Sequence, residues 1–173
     1  MPSTPPVRCS ACGVAHWRNP KPCANALVVD AGRVLLARRA HAPWAGLWAG
    51  PGGFVEAGEH PITAAEREVF EEVGLRVEVT AYLGTWVEHY ADEPGPDDEI
   101  INVAYYLARL AGPAAVTLDP DELSEVGWFA FDDLPDGGPP GTFDAVIAAA
   151  QAVLAGDHGV HDRTPDQPRS SPG

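Results

Sequence analysis

Three things are scarce in this chain of 173 residues: cysteine, positive charge and long apolar runs. No stretch approaches the roughly twenty consecutive apolar residues that a membrane-spanning helix needs, so we expect no membrane partner. The first residues also lack the apolar core of a secretory signal, which leads us to expect a cytoplasmic protein. Only three cysteines occur, and an odd number in that compartment argues against a disulfide framework.

Positive charge is outweighed by negative charge. Lysine and arginine total 11 against 25 aspartates and glutamates, which gives a formal net charge of −14 at pH 7. A surface this acidic repels a phosphate backbone, so we expect no nucleic-acid partner. A small phosphorylated substrate is still compatible with it, because one bound divalent cation can reverse the local field.

Composition divides the chain into three segments. Residues 1–23 form a Cys- and Pro-rich segment without helical or strand periodicity. Residues 24–155 carry regular apolar patterns, and the chain length suits one domain with a proper core. Residues 156–173 have little to bury, so we expect a disordered tail. The sequence leaves both a monomer and a homodimer open.

The central segment is predicted to mix strands and helices. Residues 61–73 form the clearest helix, since Pro61 suits a first helical turn and Gly74 suits a left-handed residue at the end. A second helix is predicted at residues 142–154. The predicted strands are residues 26–30, 33–39, 76–87, 100–110 and 126–131. Because several strands follow one another through short loops, we predict an α/β fold with a mixed sheet and helices on its faces.

The clearest predicted helix has an acidic face. Glu68, Glu71 and Glu72 stand at positions i, i+3 and i+4, so their carboxylates lie on one side of the helix. A face of this kind is most often simply solvated. Here Arg67 can pair with Glu71, and Glu59 lies in a loop from which it could reach the same cluster. Oxygen ligands held by a rigid helix are what Mg²⁺ requires, so this face could also bind a divalent cation.

Residues 53–75 resemble the Nudix box. Gly53 is followed after five residues by Glu59 and, after seven more, by a run that matches every defined position of the box, Arg67-Glu68-Val69-Phe70-Glu71-Glu72-Val73-Gly74-Leu75. The resemblance extends over roughly residues 25–154, although only the box and its lead-in, which begins at Pro51, match the family pattern closely. It implies the Nudix-type α/β/α sandwich around a mixed β-sheet and a hydrolase that cuts diphosphate linkages.

The resemblance also implies roles for individual residues. Glu68, Glu71 and Glu72 would hold Mg²⁺ or Mn²⁺, with the carbonyl of Gly53 as a further possible ligand. Arg67 and Glu59 would orient the ligand carboxylates. The family often takes its general base from outside the box, and the candidates here are Glu99, at the end of an acidic loop, and Glu125. Each could equally be an ordinary exposed acid, and a box glutamate could serve instead.

Substrate-binding residues are predicted around the loop that precedes the box. Arg39 ends a strand that should lead towards the site and could hold a phosphate, or it could be a solvated strand-end arginine. Trp44 and Tyr90 could stack on a base. Trp48, which is so near the box, is interpreted as a core residue.

The N-terminal cysteines are spaced as in a zinc knuckle. Cys9 and Cys12 resemble half of the zinc ribbon that precedes the catalytic domain in some Nudix proteins. Together with His16 and Cys23 they could supply four ligands to a structural Zn²⁺, although the spacing of the last two is unusual. A metal-free remnant is the interpretation that the sequence favours.

The resemblance leaves the substrate open. We expect a small nucleotide, with a nucleoside diphosphate linked to another moiety, such as ADP-ribose or a sugar nucleotide, preferred over a nucleoside triphosphate. The segment Val79-Thr80-Ala81-Tyr82-Leu83-Gly84-Thr85-Trp86 lacks the signature of the NADH-hydrolysing subgroup, so NADH is not expected as the main substrate. The alternative of a different class is a Nudix domain that binds a nucleotide without cleaving it.

Overall fold

The computed structural model describes residues 6–17, 19–93, 95, 98–135, 138 and 141–157. Of the tail expected to be disordered, residues 158–173 lie outside these ranges. The described residues form nine strands and two helices. In chain order these are β1 (Val7–Arg8), β2 (Ala15–His16), β3 (Lys21–Asp30), β4 (Arg33–Arg39), β5 (Trp48–Ala49), β6 (Gly52–Phe54), α1 (Pro61–Val73), β7 (Val77–His89), β8 (Ile100–Leu110), β9 (Leu123–Ala130) and α2 (Phe143–Leu154).

All strands except β1 and β2 form one mixed sheet. Its order is β5-β4-β3-β8-β7, with β6 also paired to β3 and β9 also paired to β4. The central pair, β3 and β8, is parallel, whereas the other pairs are antiparallel. A parallel pair needs a long crossover, and the segment that includes α1 and β7 supplies it. The predicted mixed sheet is therefore confirmed.

The strand β3 begins earlier than predicted, at Lys21 instead of Ala26. Its first residues are paired on both sides, since Cys23 aligns with Val103 of β8 and with Phe54 of β6. Polar residues and a proline at the start of the strand interrupt the apolar pattern and so hid it from the sequence. The last residues of the Cys- and Pro-rich segment thus belong to the main sheet.

Other differences from the prediction are smaller. The loop predicted before the box contains the short strands β5 and β6, which pair with β4 and β3. The strand β9 begins at Leu123 instead of Val126, because Leu123 pairs with Arg39 across an irregularity in the ladder. The helix α1 has the predicted bounds.

The helix α1 begins and ends as its sequence predicts. The Nδ1 atom of His60 accepts a hydrogen bond from the backbone N–H of Ile62 at 3.2 Å, and Pro61 occupies the first turn. Gly74 ends the helix in the left-handed region, at φ 71°, and its N–H donates to the carbonyl of Phe70. A Cβ on Gly74 would also lie 3.1 Å from Thr117, so both backbone and space favour glycine.

The two helices cover opposite faces of the sheet. The apolar stripe of α1 packs against one face, in a cluster that includes Ala65, Val69, Val73, Ala26 and Leu35. The helix α2 packs against the other face, in a cluster that includes Val146, Ala150, Leu83, Trp86 and Leu107. This is the predicted α/β/α sandwich. No helix in the described part of the chain is both long enough and apolar enough to cross a bilayer.

Candidate active site

The acidic face of α1 points towards the strand β6 and its lead-in. Glu72 is buried, with 5% of its surface exposed, and its Oε2 accepts a hydrogen bond from the N–H of Gly52 at 3.2 Å. Glu68, one turn earlier, lies against Gly53. Two of the three predicted ligands therefore face the same backbone turn, whereas the side chain of Glu71 is 56% exposed.

Arg67 ties the acidic residues together. Its Nε and Nη2 donate to the two carboxylate oxygens of Glu59, at 2.9 and 3.0 Å. Its Nη1 donates to Glu68 at 2.8 Å and to Glu71 at 2.7 Å, and Nη2 also donates to the carbonyl of Phe54 at 3.1 Å. The planar guanidinium thus holds three carboxylates in one arrangement, which agrees with the orienting role implied for Arg67 and Glu59.

The turn at Gly53 leaves no room for a side chain. A Cβ at this position would lie 2.6 Å from Oε1 and 2.8 Å from Oε2 of Glu68. The backbone at Gly53 therefore approaches the carboxylate more closely than any other residue would allow. This contact explains on steric grounds why the box needs glycine here.

The carboxylates lie at an open cavity of about 370 Å³. Arg67, Glu68 and Glu72 line it together with the backbone of β6 and its lead-in. Three further acids that were not among the predicted site residues also line it, namely Glu56 in the loop after β6, Glu88 on β7 and Glu122 in the loop before β9. Nothing in the spacing of Glu88 or Glu122 distinguishes them in the sequence from other acids.

Negative charge accumulates at the box end of this cavity. Burial, reinforced by the charges of Glu122 and Glu68, raises the pKa of Glu72 to about 8, although the Gly52 N–H and Arg39 oppose the shift. Burial also raises the pKa of Glu68, against the effect of Arg67. The guanidinium groups of Arg67 and Arg39 do not balance these acids, so the site favours a cation.

The donor set suits a divalent cation of the Mg²⁺ type. Carboxylate oxygens of Glu68, Glu72 and Glu122, with the backbone at Gly53, are the hard ligands that such a cation prefers. In the arrangement observed, however, the described residues contain no three acidic, histidine or cysteine side chains converged on one point. Glu68 and Glu71 instead accept hydrogen bonds from Arg67. The residues that line the cavity therefore fit the cation in the chemistry of their oxygen donors.

The two acids predicted as a general base lie elsewhere. Glu99 pairs with Lys21 at 2.5 Å, and Glu125 pairs with Arg38 at 3.6 Å. Both are substantially exposed and neither lines the cavity. Glu122 lines the cavity instead. It lies in a loop, and sequence spacing does not give the direction of a loop side chain.

The predicted substrate-binding residues come together at the other wall. Arg39, Trp44 and Tyr90 all line the cavity. The rings of Trp44 and Tyr90 meet edge to face at 5.6 Å, and Phe54 packs on Tyr90 at 5.7 Å. Arg39 donates to the Pro43 carbonyl at 2.9 Å, and its guanidinium lies 6.0 Å from the Trp44 ring.

Trp48 lies in the core, as predicted. It is 8% exposed, and its ring meets that of Phe129 edge to face at 5.0 Å. The cavity wall is therefore built by Trp44, and Trp48 supports the sheet beneath it.

The four residues considered for zinc are not brought together. Cys9 lies in the turn between β1 and β2, Cys12 in the same turn is exposed, and His16 is an exposed residue of β2. Cys23 instead lies in the main sheet, where burial and the charges of Glu88 and Glu68 raise its pKa to about 12. The four residues considered for zinc therefore form no metal site among the described residues, because β3 extends to Lys21 and includes Cys23.

Replacing Arg67 with lysine is expected to lower kcat/KM by roughly 10- to 100-fold. An ammonium group cannot donate to Glu59, Glu68 and Glu71 in the fixed geometry of a guanidinium, so the carboxylates lose their orientation. Steady-state hydrolysis assays check this. Arg109→Lys is the matched control, since Arg109 pairs with Glu78 at an exposed position. Equal activity of Arg67→Lys and the wild type would show that the orientation of the carboxylates by Arg67 does not contribute to hydrolysis.

A family model and curated relatives match this chain. The family model of the NUDIX domain matches residues 19–148. The chain is 33% identical over 134 residues to the NAD-capped RNA hydrolase NudC of Citrobacter koseri, a match that covers 78% of this chain and 48% of the relative. The chain thus spans about half the length of the curated relatives that it matches.

Solved structures show the same fold. A MutT NUDIX hydrolase from Burkholderia pseudomallei is 31% identical, with a TM-score of 0.66 over 76% of this chain and 98% of that chain. A NUDIX hydrolase from Nitrosomonas europaea is 25% identical, with a TM-score of 0.74 over 91% of this chain and 85% of that chain. The chain belongs to the NUDIX family.

Proposed function

We propose that the protein hydrolyses the diphosphate linkage of a nucleoside diphosphate joined to another moiety, with Mg²⁺ or Mn²⁺ as cofactor. The observation that carries the proposal is one cavity that is lined both by carboxylates and by Arg39 with aromatic rings. A cation held by the carboxylates would attract an anionic diphosphate, and the rings offer apolar surface to an attached nucleoside.

In the proposed reaction, a water oxygen forms a bond to one phosphorus while the bridging P–O bond breaks. Two monophosphate esters leave, and the proton lost by the water passes to a base. A bound divalent cation would neutralise phosphate oxygens and lower the pKa of the attacking water. Glu68 and Glu72 would hold the cation with the backbone at Gly53, and Arg67 with Glu59 would keep Glu68 in place.

Two residues have complementary roles in this scheme. Glu122 is the acid best placed to accept the proton, since it lines the cavity near Glu68 and Glu72 without being bound to Arg67. Arg39 would contact the phosphate that leaves with the nucleoside, since it lines the same cavity and its charge acts on Glu72. Trp44 and Tyr90 would pack against the base.

The choice of substrate rests on the shape of the site and on the relatives. The NudC relative is named for NAD-capped RNA, and NAD also contains a diphosphate between two nucleosides. This supports a linked diphosphate over a nucleoside triphosphate, which is the second candidate. The name also includes RNA, whereas a net charge of −14 argues against an RNA partner for this chain. We keep the prediction of a small nucleotide substrate.

A substrate panel tests the proposal. ADP-ribose, UDP-glucose, NAD and ATP would be incubated with the full chain, with and without Mg²⁺ or Mn²⁺, and released monophosphates would be separated by chromatography. We expect metal-dependent release of a nucleoside monophosphate, faster from the linked diphosphates than from ATP. Faster release from ATP would favour the triphosphate pyrophosphohydrolase. Binding without any release would favour the non-catalytic nucleotide sensor.

A further inference from the structure

A second buried carboxylate lies in the cavity, apart from the box. Glu88 is 8% exposed, and its Oε1 accepts a hydrogen bond from the hydroxyl of Tyr105 at 3.3 Å. Burial raises the pKa of Glu88, against the hydrogen bonds of Thr142 and Tyr105. A buried carboxylate is costly to maintain, and neither the metal site nor the proposed hydrolysis uses this one.

Glu88 lies on β7 outside the box, and it lines the same cavity as Glu68 and Glu72. The apolar side chains of Ile101 and Val103 on β8 line this cavity as well. The cavity therefore combines apolar surface with a buried carboxylate that does not belong to the box.

The aromatic wall adjoins Glu88 in the chain. Tyr90 follows Glu88 by two residues, one residue beyond the end of β7. Both residues line the cavity, with Trp44 packed on Tyr90. A planar base or a ribose packed on these rings would therefore share the cavity with the Glu88 carboxylate.

We propose that Glu88, supported by Tyr105, is a specificity-determining residue that binds two adjacent hydrogen-bond donors on the nucleoside part of the substrate. An ionised carboxylate only accepts hydrogen bonds, and its two oxygens match a pair of neighbouring N–H or O–H groups. Two sources offer that chemistry: the N1–H and 2-amino edge of guanine, and the 2′,3′-hydroxyls of ribose. The proposal rests on the proposed function, because it concerns how the substrate is selected.

The test measures how strongly the enzyme discriminates between paired substrates, and not its activity alone. Values of kcat/KM would be compared for GDP-mannose against IDP-mannose, which lacks the 2-amino group, and for each ribose substrate against its 2′-deoxy analogue. We expect the wild type to favour the complete donor pair in one of the two arms by about tenfold or more. Glu88→Gln replaces one acceptor by a donor, so the preference should fall to within about threefold, mainly through a higher KM for the favoured substrate.

Two further variants separate recognition from folding. Glu78→Gln makes the same change on the same strand at an exposed ion pair with Arg109, and it should retain the wild-type ratio. Tyr105→Phe keeps the ring and removes the hydroxyl that holds Glu88, so it should lower the ratio several-fold even if Glu88→Gln folds poorly. Thermal unfolding would accompany each measurement, because a purely structural role of Glu88 would change stability and leave the ratio unchanged.

The outcomes distinguish this proposal from the proposed function. Hydrolysis without a preference in either arm, or a preference that Glu88→Gln retains, would overturn the role of Glu88 and leave the hydrolase intact. Complete absence of metal-dependent hydrolysis by the wild type would overturn the proposed function itself.

Discussion

Replacing Glu72 with glutamine is expected to lower kcat by about a thousandfold or more while the protein stays folded. Glu72 is the most deeply buried acid of the box, and it faces Gly52 at the carboxylate end of the cavity. The amide keeps an oxygen that can accept from the Gly52 N–H, but it removes the charge that a divalent cation needs. Steady-state hydrolysis at saturating Mg²⁺ measures the loss.

The fold should tolerate this change. Burial and two neighbouring acids raise the pKa of Glu72 to about 8, so its ionised form is unfavourable in the metal-free protein. Glutamine removes that unfavourable charge, and we expect an unfolding temperature no lower than that of the wild type. Glu66→Gln on the same helix is the matched control, because the Glu66 carboxylate accepts from the Val79 N–H and does not line the cavity. A fully active Glu72→Gln protein would refute the role of Glu72 as a ligand.

The second large effect is expected from Gly53→Ala, which should lower kcat/KM by roughly a hundredfold. The added methyl group would lie 2.6 Å from the Glu68 carboxylate, so either the carboxylate or the β6 turn must move. Either movement changes the position of the Glu68 carboxylate relative to the backbone of β6, and the site depends on that position. Hydrolysis assays and Mn²⁺ titration of the same preparation would show whether activity and metal affinity fall together.

Gly112→Ala provides the control for this steric argument. A Cβ on Gly112 would meet only the Cβ of Arg76, at 3.7 Å, which is an ordinary contact. We expect Gly112→Ala to retain wild-type activity. If Gly53→Ala did so as well, the close approach of Glu68 to the turn would have no functional importance.

The parts of the fold that sequence predicts best are those governed by local rules. Pro61, the apolar stripe and Gly74 define α1 without help from the rest of the chain, and its bounds agree with the structure. The shared face of the box glutamates could also be predicted, because helical spacing alone places Glu68 and Glu72 on one side of α1. Arg39, Trp44 and Tyr90 could be singled out as candidates because of their residue types near the box, although their mutual contacts could not be predicted.

The features of the fold and the site that could not be predicted from the sequence depend on contacts between segments that are distant in the chain. The strand β3 extends to Lys21 because β8 and β6 pair with it there, despite an interrupted apolar pattern. Glu122 reaches the site from a loop, and Glu88 lies buried on β7 beside Tyr105. Nothing in the spacing of either acid distinguishes it from the exposed Glu99 and Glu125. Their importance follows from the cavity, which only the folded chain forms.

Direct binding of Mn²⁺, followed by the enhanced relaxation of water protons, tests the central claim that the carboxylates of α1 and the cavity hold a divalent cation. The measurement needs no substrate, so it is independent of which nucleotide the enzyme prefers. We predict saturable Mn²⁺ binding to the wild type, competition by Mg²⁺, and loss of the site in Glu72→Gln but not in Glu66→Gln. Equal Mn²⁺ binding by Glu72→Gln and the wild type would contradict the account.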